Sequence, residues 1–158
     1  MNGVLAQLYA ALTKQNEPTG ILASRNPMYT YGGIPTRQPY QSESDFFRSS
    51  GVPGYAAEDN AVVMNPLANL MPDQKRAVLM NEAARVWMRQ NNLTPNFGLT
   101  PQQSQSLGAT AYKDAPEQDR AATTVARLLS GDPSGGDPTP EQSAFVKRLR
   151  YGMGLLGK

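Results

Sequence analysis

Apolar residues recur with a helical period in two separate parts of the chain. In the first part, the three- and four-residue spacing predicts a short amphipathic helix over 2–14, and Pro18 prevents it from continuing much farther. Its apolar positions are Val4, Leu5, Leu8 and Leu12. The helical period returns beyond Pro66 and continues almost to the C-terminus, so most of the predicted secondary structure lies in the second part.

Four helices are predicted in the second part, at 72–91, 101–107, 116–130 and 140–156. Each begins with a variant of one phrase, which reads MPDQ, TPQQ, APEQ and TPEQ in chain order. Proline suits a first helical turn because its φ is already helical and its missing N–H would have no partner there. Thr100 and Thr139 complete capping boxes with the glutamine three residues later. The phrase recurs at unequal intervals, which excludes a solenoid repeat and indicates helix starts instead.

The predicted helices carry apolar faces that can form one small core. Gly131 is suited to end the third of them, because glycine readily adopts left-handed backbone. The apolar positions are Leu79, Ala83, Val86, Trp87, Ala121, Val125, Leu128, Leu129, Phe145, Leu149, Met153 and Leu156.

Residues 17–66 show neither a helical period nor sustained alternation. Their prolines bias the preceding residues towards extended backbone, and paired glycines and spaced tyrosines lie between them. This composition predicts a long extended arm. Two short exceptions are a helix capped by residues 42–45 that runs through Phe46 and Phe47, and a brief strand over 61–64.

The sequence therefore predicts a mainly α protein in three parts. A short docking helix at 1–16 precedes an extended Pro/Gly-rich arm at 17–66, and a small helical domain occupies 67–158. The core is expected to be small, because apolar residues make up only 39% of the chain and 14 glycines and 13 prolines are scattered through it.

Composition excludes several kinds of chemistry. The chain has no cysteine and no histidine, which removes disulfides, thiolate metal sites and every nucleophile that depends on histidine. No apolar run approaches the ~20 residues that a membrane-spanning helix needs, so no membrane span is predicted. We therefore predict no enzyme activity, no catalytic residue, no cofactor and no metal.

Glu82 is the best candidate for a catalytic carboxylate, because it lies on an apolar-faced helix near Trp87. An ion pair with Arg85, one helical turn on, is the favoured interpretation, since catalysis needs several groups in one site. The GxGxxG pattern at 152–157 lacks the helix that a dinucleotide site requires, and 132–137 lacks the ligand spacing of a calcium loop. Both are interpreted as turn or tail segments.

Partner contacts are predicted at the apolar chain ends and in the aromatic arm. Short apolar surfaces gain from burial against another chain, and tyrosines in an arm suit protein pockets better than stacking on single-stranded bases. Lys147, Arg148 and Arg150 either balance the dipole of their own helix or contact nucleic-acid phosphate. The predicted partner-binding residues are Val4, Leu5, Leu8, Leu12, Tyr29, Tyr31, Tyr40, Phe46, Phe47, Met153, Leu155 and Leu156.

The stretch VVMNPLANLMPDQKRAVLMNEAARVWMR and the later ARLLSGDPSGGDPTPEQSAFVKRL carry a family likeness. Over 61–150 the chain resembles small proteins of tailed-bacteriophage morphogenesis modules, with a similar NP…L…NE.AR helix and a GDP loop leading into TPEQ. The resemblance implies a multicopy, non-enzymatic virion structural protein, assembled in the host bacterial cytoplasm. Its expected partners are portal, tail or capsid proteins in the head–tail or internal region, within a symmetric homo-oligomer. The alternatives are an ejected virion protein or a peptidoglycan-degrading accessory enzyme that uses Glu82.

Overall fold

The computed structural model describes residues 31–110 and 112–155, which contain five α-helices and three short strands. The strands are β1 (Thr36–Arg37), β2 (Gly54–Ala56) and β3 (Val62–Met64). The helices are α1 (Gln41–Ser50), α2 (Pro72–Gln90), α3 (Pro101–Gly108), α4 (Glu117–Ser130) and α5 (Pro140–Gly152). The protein is thus mainly helical, as predicted, with a small sheet in addition.

The predicted helix starts are confirmed to within one residue. Pro72, Pro101 and Pro140 open α2, α3 and α5, whereas α4 begins one residue after its proline. The hydroxyls of Thr100 and Thr139 accept the N–H groups of the glutamines three residues on, each at 3.2 Å. These caps satisfy N–H groups that have no partner inside the helix.

The C-terminal end differs from the prediction, because α5 ends at Gly152 rather than near 156. Gly154 adopts left-handed backbone with φ 67°, and the Leu155 N–H donates to the Arg150 carbonyl at 2.8 Å. This turn folds the chain back, so that Met153 and Leu155 are buried in the protein's own core. The prediction that they form a partner surface is therefore wrong; Leu156 lies outside the described residues.

The predicted extended arm is wrong over 31–66, where the chain folds against α2. Strand β3 lies at the centre of the sheet, parallel to β1 and antiparallel to β2. The predicted helix through Phe46 and Phe47 and the brief strand are confirmed as α1 and β3. Strands of two or three residues are too short to show the alternation of apolar and polar residues that predicts a strand. For this reason an extended arm was predicted from the sequence.

One hydrophobic core includes residues from both sides of position 66. Ile34 and Val62 from the sheet region are buried with residues of α2, α4 and α5. Phe47 is buried in a second, smaller cluster with Ala57 and Val63, and it is therefore not available as a partner-binding residue. The predicted boundary at 66/67 thus does not separate two cores. The buried helical members are Leu79, Ala83, Ala84, Val86, Met88, Val125, Leu129, Val146 and Leu149.

Several predictions concern residues that the structure does not describe. The docking helix at 1–16 and its residues Val4, Leu5, Leu8 and Leu12 belong to this group, as does Tyr29. Within 31–110 and 112–155, no helix combines the length and the apolar character that crossing a bilayer requires.

Candidate functional site

A cleft of about 650 Å³ is lined by residues of α1, β2, α2 and α4. Phe46 and Tyr55 line it from α1 and β2, and Glu82 and Arg85 line it from α2. Tyr112, from the loop before α4, also lines the cleft. The volume lies within the range of about 300–1,000 Å³ that is usual for small-molecule sites.

Glu82 lies on the cleft side of α2, one helical turn before Arg85. The two side chains are 13% and 18% exposed, and the Glu82 Oε2–Arg85 Nε distance is 3.8 Å, which is too long for a hydrogen bond. Burial raises the pKa of the Glu82 carboxyl, while the Arg85 charge and the Ala56 N–H lower it. The predicted ion pair is therefore present in a loose form.

Arg85 is held in place by contacts to α4 and to the loop before it. One terminal nitrogen donates to Thr123 Oγ1 at 2.5 Å and to the Tyr112 hydroxyl at 3.3 Å. The Arg85 guanidinium carbon lies 5.3 Å from the centre of the Tyr112 ring. The buried Nε has no hydrogen-bond partner among the residues that the structure describes. These contacts fix Arg85 against α4 and the loop before it.

The aromatic wall of the cleft is built from residues of α1 and β2. The Phe46 and Tyr55 rings meet edge to face with centroids 5.7 Å apart, and the buried Phe47 ring lies 5.6 Å from Tyr55. The Tyr55 hydroxyl donates to Glu43 Oε1 at 2.5 Å. This hydrogen bond fixes the hydroxyl end of the Tyr55 ring.

Glu43 forms the centre of a buried charged cluster behind the Tyr55 wall. Arg37 binds both carboxylate oxygens, at 2.7 and 2.8 Å, and the Tyr40 N–H donates at 2.6 Å. Arg37 Nε also contacts Asp59 at 2.7 Å. Burial raises the pKa of the Glu43 carboxyl to about 7, against the opposing effect of the Tyr40 N–H. The two-point contact with Arg37 favours the carboxylate, so we describe the pair as ionic at neutral pH.

A second buried polar cluster joins α3 to α5 without any charge. Gln103 and Gln142 are 1% and 0% exposed, and each side-chain amide donates to the other, at 2.7 and 2.9 Å. The remaining amide hydrogens go to the carbonyls of Gly135 and Gly98, both at 3.1 Å. The two TPxQ phrases therefore bind each other as well as starting their helices.

The structure places the other predicted site residues in separate regions. Tyr40 is half-buried beneath the Arg37 guanidinium, whose carbon lies 4.0 Å from the ring centre, and Tyr31 packs against the main core. Neither forms an open anchor. Lys147 and Arg148 are exposed on α5, whereas Arg150 donates to the Leu129 carbonyl of α4 at 3.2 Å. Arg150 thus compensates the C-terminal end of a neighbouring helix instead of its own.

Sequence reasoning missed the cleft walls at Tyr55 and Tyr112 and the cluster around Glu43. No short motif connects Tyr55 or Tyr112 to its partners, because those contacts span 12 to 38 positions along the chain. Arg37 and Glu43 are only six positions apart, but no pattern in the sequence marks the two as a pair. The amide pair did leave a signal. TPQQ and TPEQ are the two copies of the phrase that begin with threonine, and these two contact each other.

Comparison with known proteins gives no assignment. No protein-family model, no curated protein and no solved structure matches the chain. In the part of the chain that the structure describes, no three carboxylate-bearing or other metal-ligating side chains are grouped to hold a metal ion.

Proposed function

We propose that this protein is a non-enzymatic structural component of a tailed-bacteriophage particle that acts through contacts with other virion proteins. The resemblance over 61–150 suggests the class of protein. The observation that carries the proposal is an exposed apolar loop between β3 and α2, within the NPLANLMPDQ part of that resemblance.

Leu67 and Met71 in this loop are 62% and 67% exposed, although both are large apolar residues. The loop is held by Asn65, which is itself buried. Asn65 Nδ2 donates to the Val52 carbonyl at 2.8 Å, and its Oδ1 accepts the Leu67 N–H at 2.9 Å. A loop that is fixed before binding loses little conformational entropy on association, which favours a protein contact here.

The proposed partners are the portal, tail or capsid proteins of the particle, within a symmetric assembly. In a symmetric assembly the same small surface is present in every copy of the protein. Many two-residue apolar contacts then act together, and their combined affinity is much higher than that of a single contact. The apolar positions at 4–12 would provide a second contact point, which the sequence alone suggests.

A double variant, Leu67→Ser with Met71→Ser, tests the proposal. Both side chains are exposed, so the variant should unfold at the same temperature as the unmodified protein but enter purified particles in a clearly smaller amount. Mass spectrometry of particles before and after genome release measures incorporation and separates a fixed component from an ejected one.

Tyr151→Ser is the matched control, because Tyr151 is 74% exposed and lies on α5. It should leave incorporation unchanged. Normal incorporation of the double variant would contradict the role of this loop. Absence of the protein from particles would contradict the assignment as a virion component.

One observation favours a second candidate function, cell-wall glycan cleavage by Glu82. The pKa of its carboxyl is raised by burial, and Glu58 and Asp119 line the same cleft. A proton-donating acid and a second carboxylate are the groups that glycoside hydrolysis requires. Clearing on a peptidoglycan zymogram that disappears in Glu82→Gln would support this function, and absence of clearing by the unmodified protein would exclude it.

A further inference from the structure

We propose that residues 4–12, which the sequence predicts as an amphipathic helix, bind in a groove of their own chain that is lined by α2, the end of α4 and Leu155. This groove has a volume of about 340 Å³. The inference does not rest on the proposed virion role and goes beyond it. A partner that used residues 4–12 would first have to displace them from this groove.

Apolar side chains from separate elements line the groove. Ala77 and Met80 contribute from α2, Leu129 contributes from α4, and Leu155 contributes from the segment after α5. Leu129 and Leu155 are buried members of the main core, whereas Ala77 and Met80 are only half-buried. An occupant that removes the half-buried pair from water would extend the main core outwards, which is favourable for apolar surface.

The position of Tyr31 favours a segment of this chain as the occupant. Tyr31 is the first residue that the structure describes, and it lines the groove itself. Residues 13–30 connect it to the apolar segment and span at most about 60 Å when fully extended. The segment is therefore held near the groove at a local concentration in the millimolar range, which a separate chain would have to match.

The segment itself has the chemistry that the groove requires. Val4, Leu5, Leu8 and Leu12 lie on one face when the segment is helical, over a length of about 12 Å. Residues 1–13 contain no charged side chain. Binding of the apolar face therefore buries no unpaired charge.

The charges that follow the apolar segment complement those that line the groove. Lys14 and Glu17 come directly after the segment, and the exposed Asp73 and Arg76 line the groove from the start of α2. Arg150, the third charged residue of the lining, already donates to a carbonyl of α4. Each charge after the segment thus has a residue of opposite sign at the groove. Exposed pairs add little affinity, but they favour one orientation of the segment.

Hydrogen exchange of the full chain, measured by mass spectrometry, tests the proposal. The backbone amides of residues 8–12 should exchange at least about tenfold more slowly than those of a synthetic peptide of residues 1–16. A free peptide of this length forms little helix, so slower exchange in the full chain requires docking. The slow exchange should persist when the protein is diluted about tenfold, because the segment and the groove belong to one chain.

Matched substitutions test both halves of the contact. Leu8→Glu places a charge on the apolar face and should restore the exchange rate of the free peptide, whereas Ala10→Glu places the same charge on the opposite face and should not. Ala77→Glu places a charge in the groove and should also restore fast exchange. Ala144→Glu, at an exposed position of α5, is its control and should not.

A second measurement locates the contact even if Ala77→Glu does not fold, which circular dichroism shows. Leu8→Glu and Ala10→Glu are compared by two-dimensional NMR. The amide signals that differ between them should include those of residues 76–80 and 129–131, which contribute to the groove. Differences confined to other described residues would overturn the proposed location.

Fast exchange of residues 8–12 in the full chain would overturn the proposal. Slow exchange that persists in folded Ala77→Glu would do the same, because the segment would then bind elsewhere. Slow exchange that disappears on dilution would identify a second copy of the chain as the occupant and would also overturn it. None of these results depends on incorporation into particles, so the virion role is tested separately.

Discussion

The two buried polar clusters of this protein hold distant segments together by different means. Gln103 and Gln142 join α3 to α5 through neutral amides, whose hydrogens all find acceptors. Arg37 and Glu43 join β1 to α1 through opposite charges, with side chains that are 6% and 0% exposed. Both clusters exclude water, but only the second places ionised groups in a medium of low dielectric.

The difference shows which cluster is sensitive to its environment. A neutral amide pair loses hydrogen bonds when one partner is removed, and its free energy does not depend on pH. A buried ion pair that loses one partner leaves an uncompensated charge, which costs much more and varies with protonation. The charged cluster is also the one that supports Tyr55 at the cleft, so the more sensitive cluster lies beside the candidate site.

The largest effect is expected from Arg37→Met, which leaves the Glu43 carboxylate buried without a cation. The free energy of unfolding should fall by about 3–5 kcal/mol at about pH 8. Without Arg37 the Glu43 pKa rises further, so the folded state binds a proton more readily than the unfolded state and the loss should shrink towards about pH 5. Urea denaturation at both pH values measures this.

The matched control for this variant is Arg37→Met combined with Glu43→Gln. The amide oxygen can accept the Tyr40 N–H, and its NH2 group can donate to the Tyr55 hydroxyl, which then acts as the acceptor. The side chain carries no charge, so much of the lost stability should return. If the double variant were as unstable as Arg37→Met alone, the effect would come from lost packing and not from a buried charge.

Gln103→Leu should have an intermediate effect, because it leaves the Gln142 amide buried with fewer partners. We expect a loss of about 1–3 kcal/mol in the free energy of unfolding that is the same at about pH 5 and about pH 8. Gln105→Leu, at an exposed position of α3, is the control and should change stability little. A loss that depended on pH would remove the distinction between the two clusters.

Thr139→Ala should cost about 1 kcal/mol, because it removes the hydroxyl that accepts the Gln142 N–H at the start of α5. The Thr139 N–H can still donate to Gln142 Oε1, so the amide pair itself should survive. Thr139→Ser retains the cap and should be close to neutral. If thermal unfolding showed a loss of several kcal/mol in the free energy of unfolding for both variants, changes at the cap would also disrupt the Gln103–Gln142 amide pair.

The smallest effect is expected from Glu82→Gln, which converts a loosely paired buried carboxylate into a neutral amide. Burial raises the pKa of Glu82 above its ordinary value of 4.5, so the folded state binds more protons than the unfolded state and stability falls as pH rises above that value. The variant lacks this slope but leaves the Arg85 charge without its carboxylate. Its stability relative to the unmodified protein should therefore start with a deficit near pH 4.5 and improve as the pH rises. Urea titrations across this pH range would contradict the prediction if the deficit stayed constant or grew as the pH rose.

Helix starts could be predicted from the sequence because capping is local. Thr100 and its glutamine lie three residues apart, so their hydrogen bonds depend only on one turn of backbone. The end of α5 could not be placed in the same way. Gly152 and Gly154 both allow a turn, and the burial of Leu155 against the core decides which of them ends the helix.

The sequence alone determined where the main helices begin, that the protein is mainly helical, and that Glu82 and Arg85 lie one turn apart. Tertiary structure decided that residues 31–66 fold onto α2, that Gln103 and Gln142 bind each other across 39 positions, and that Arg37, Glu43 and Tyr55 support a cleft wall. The physical reason is the range of each interaction. Caps and i,i+3 pairs act within one helical turn, whereas the burial of a polar pair depends on which distant surfaces exclude water around it.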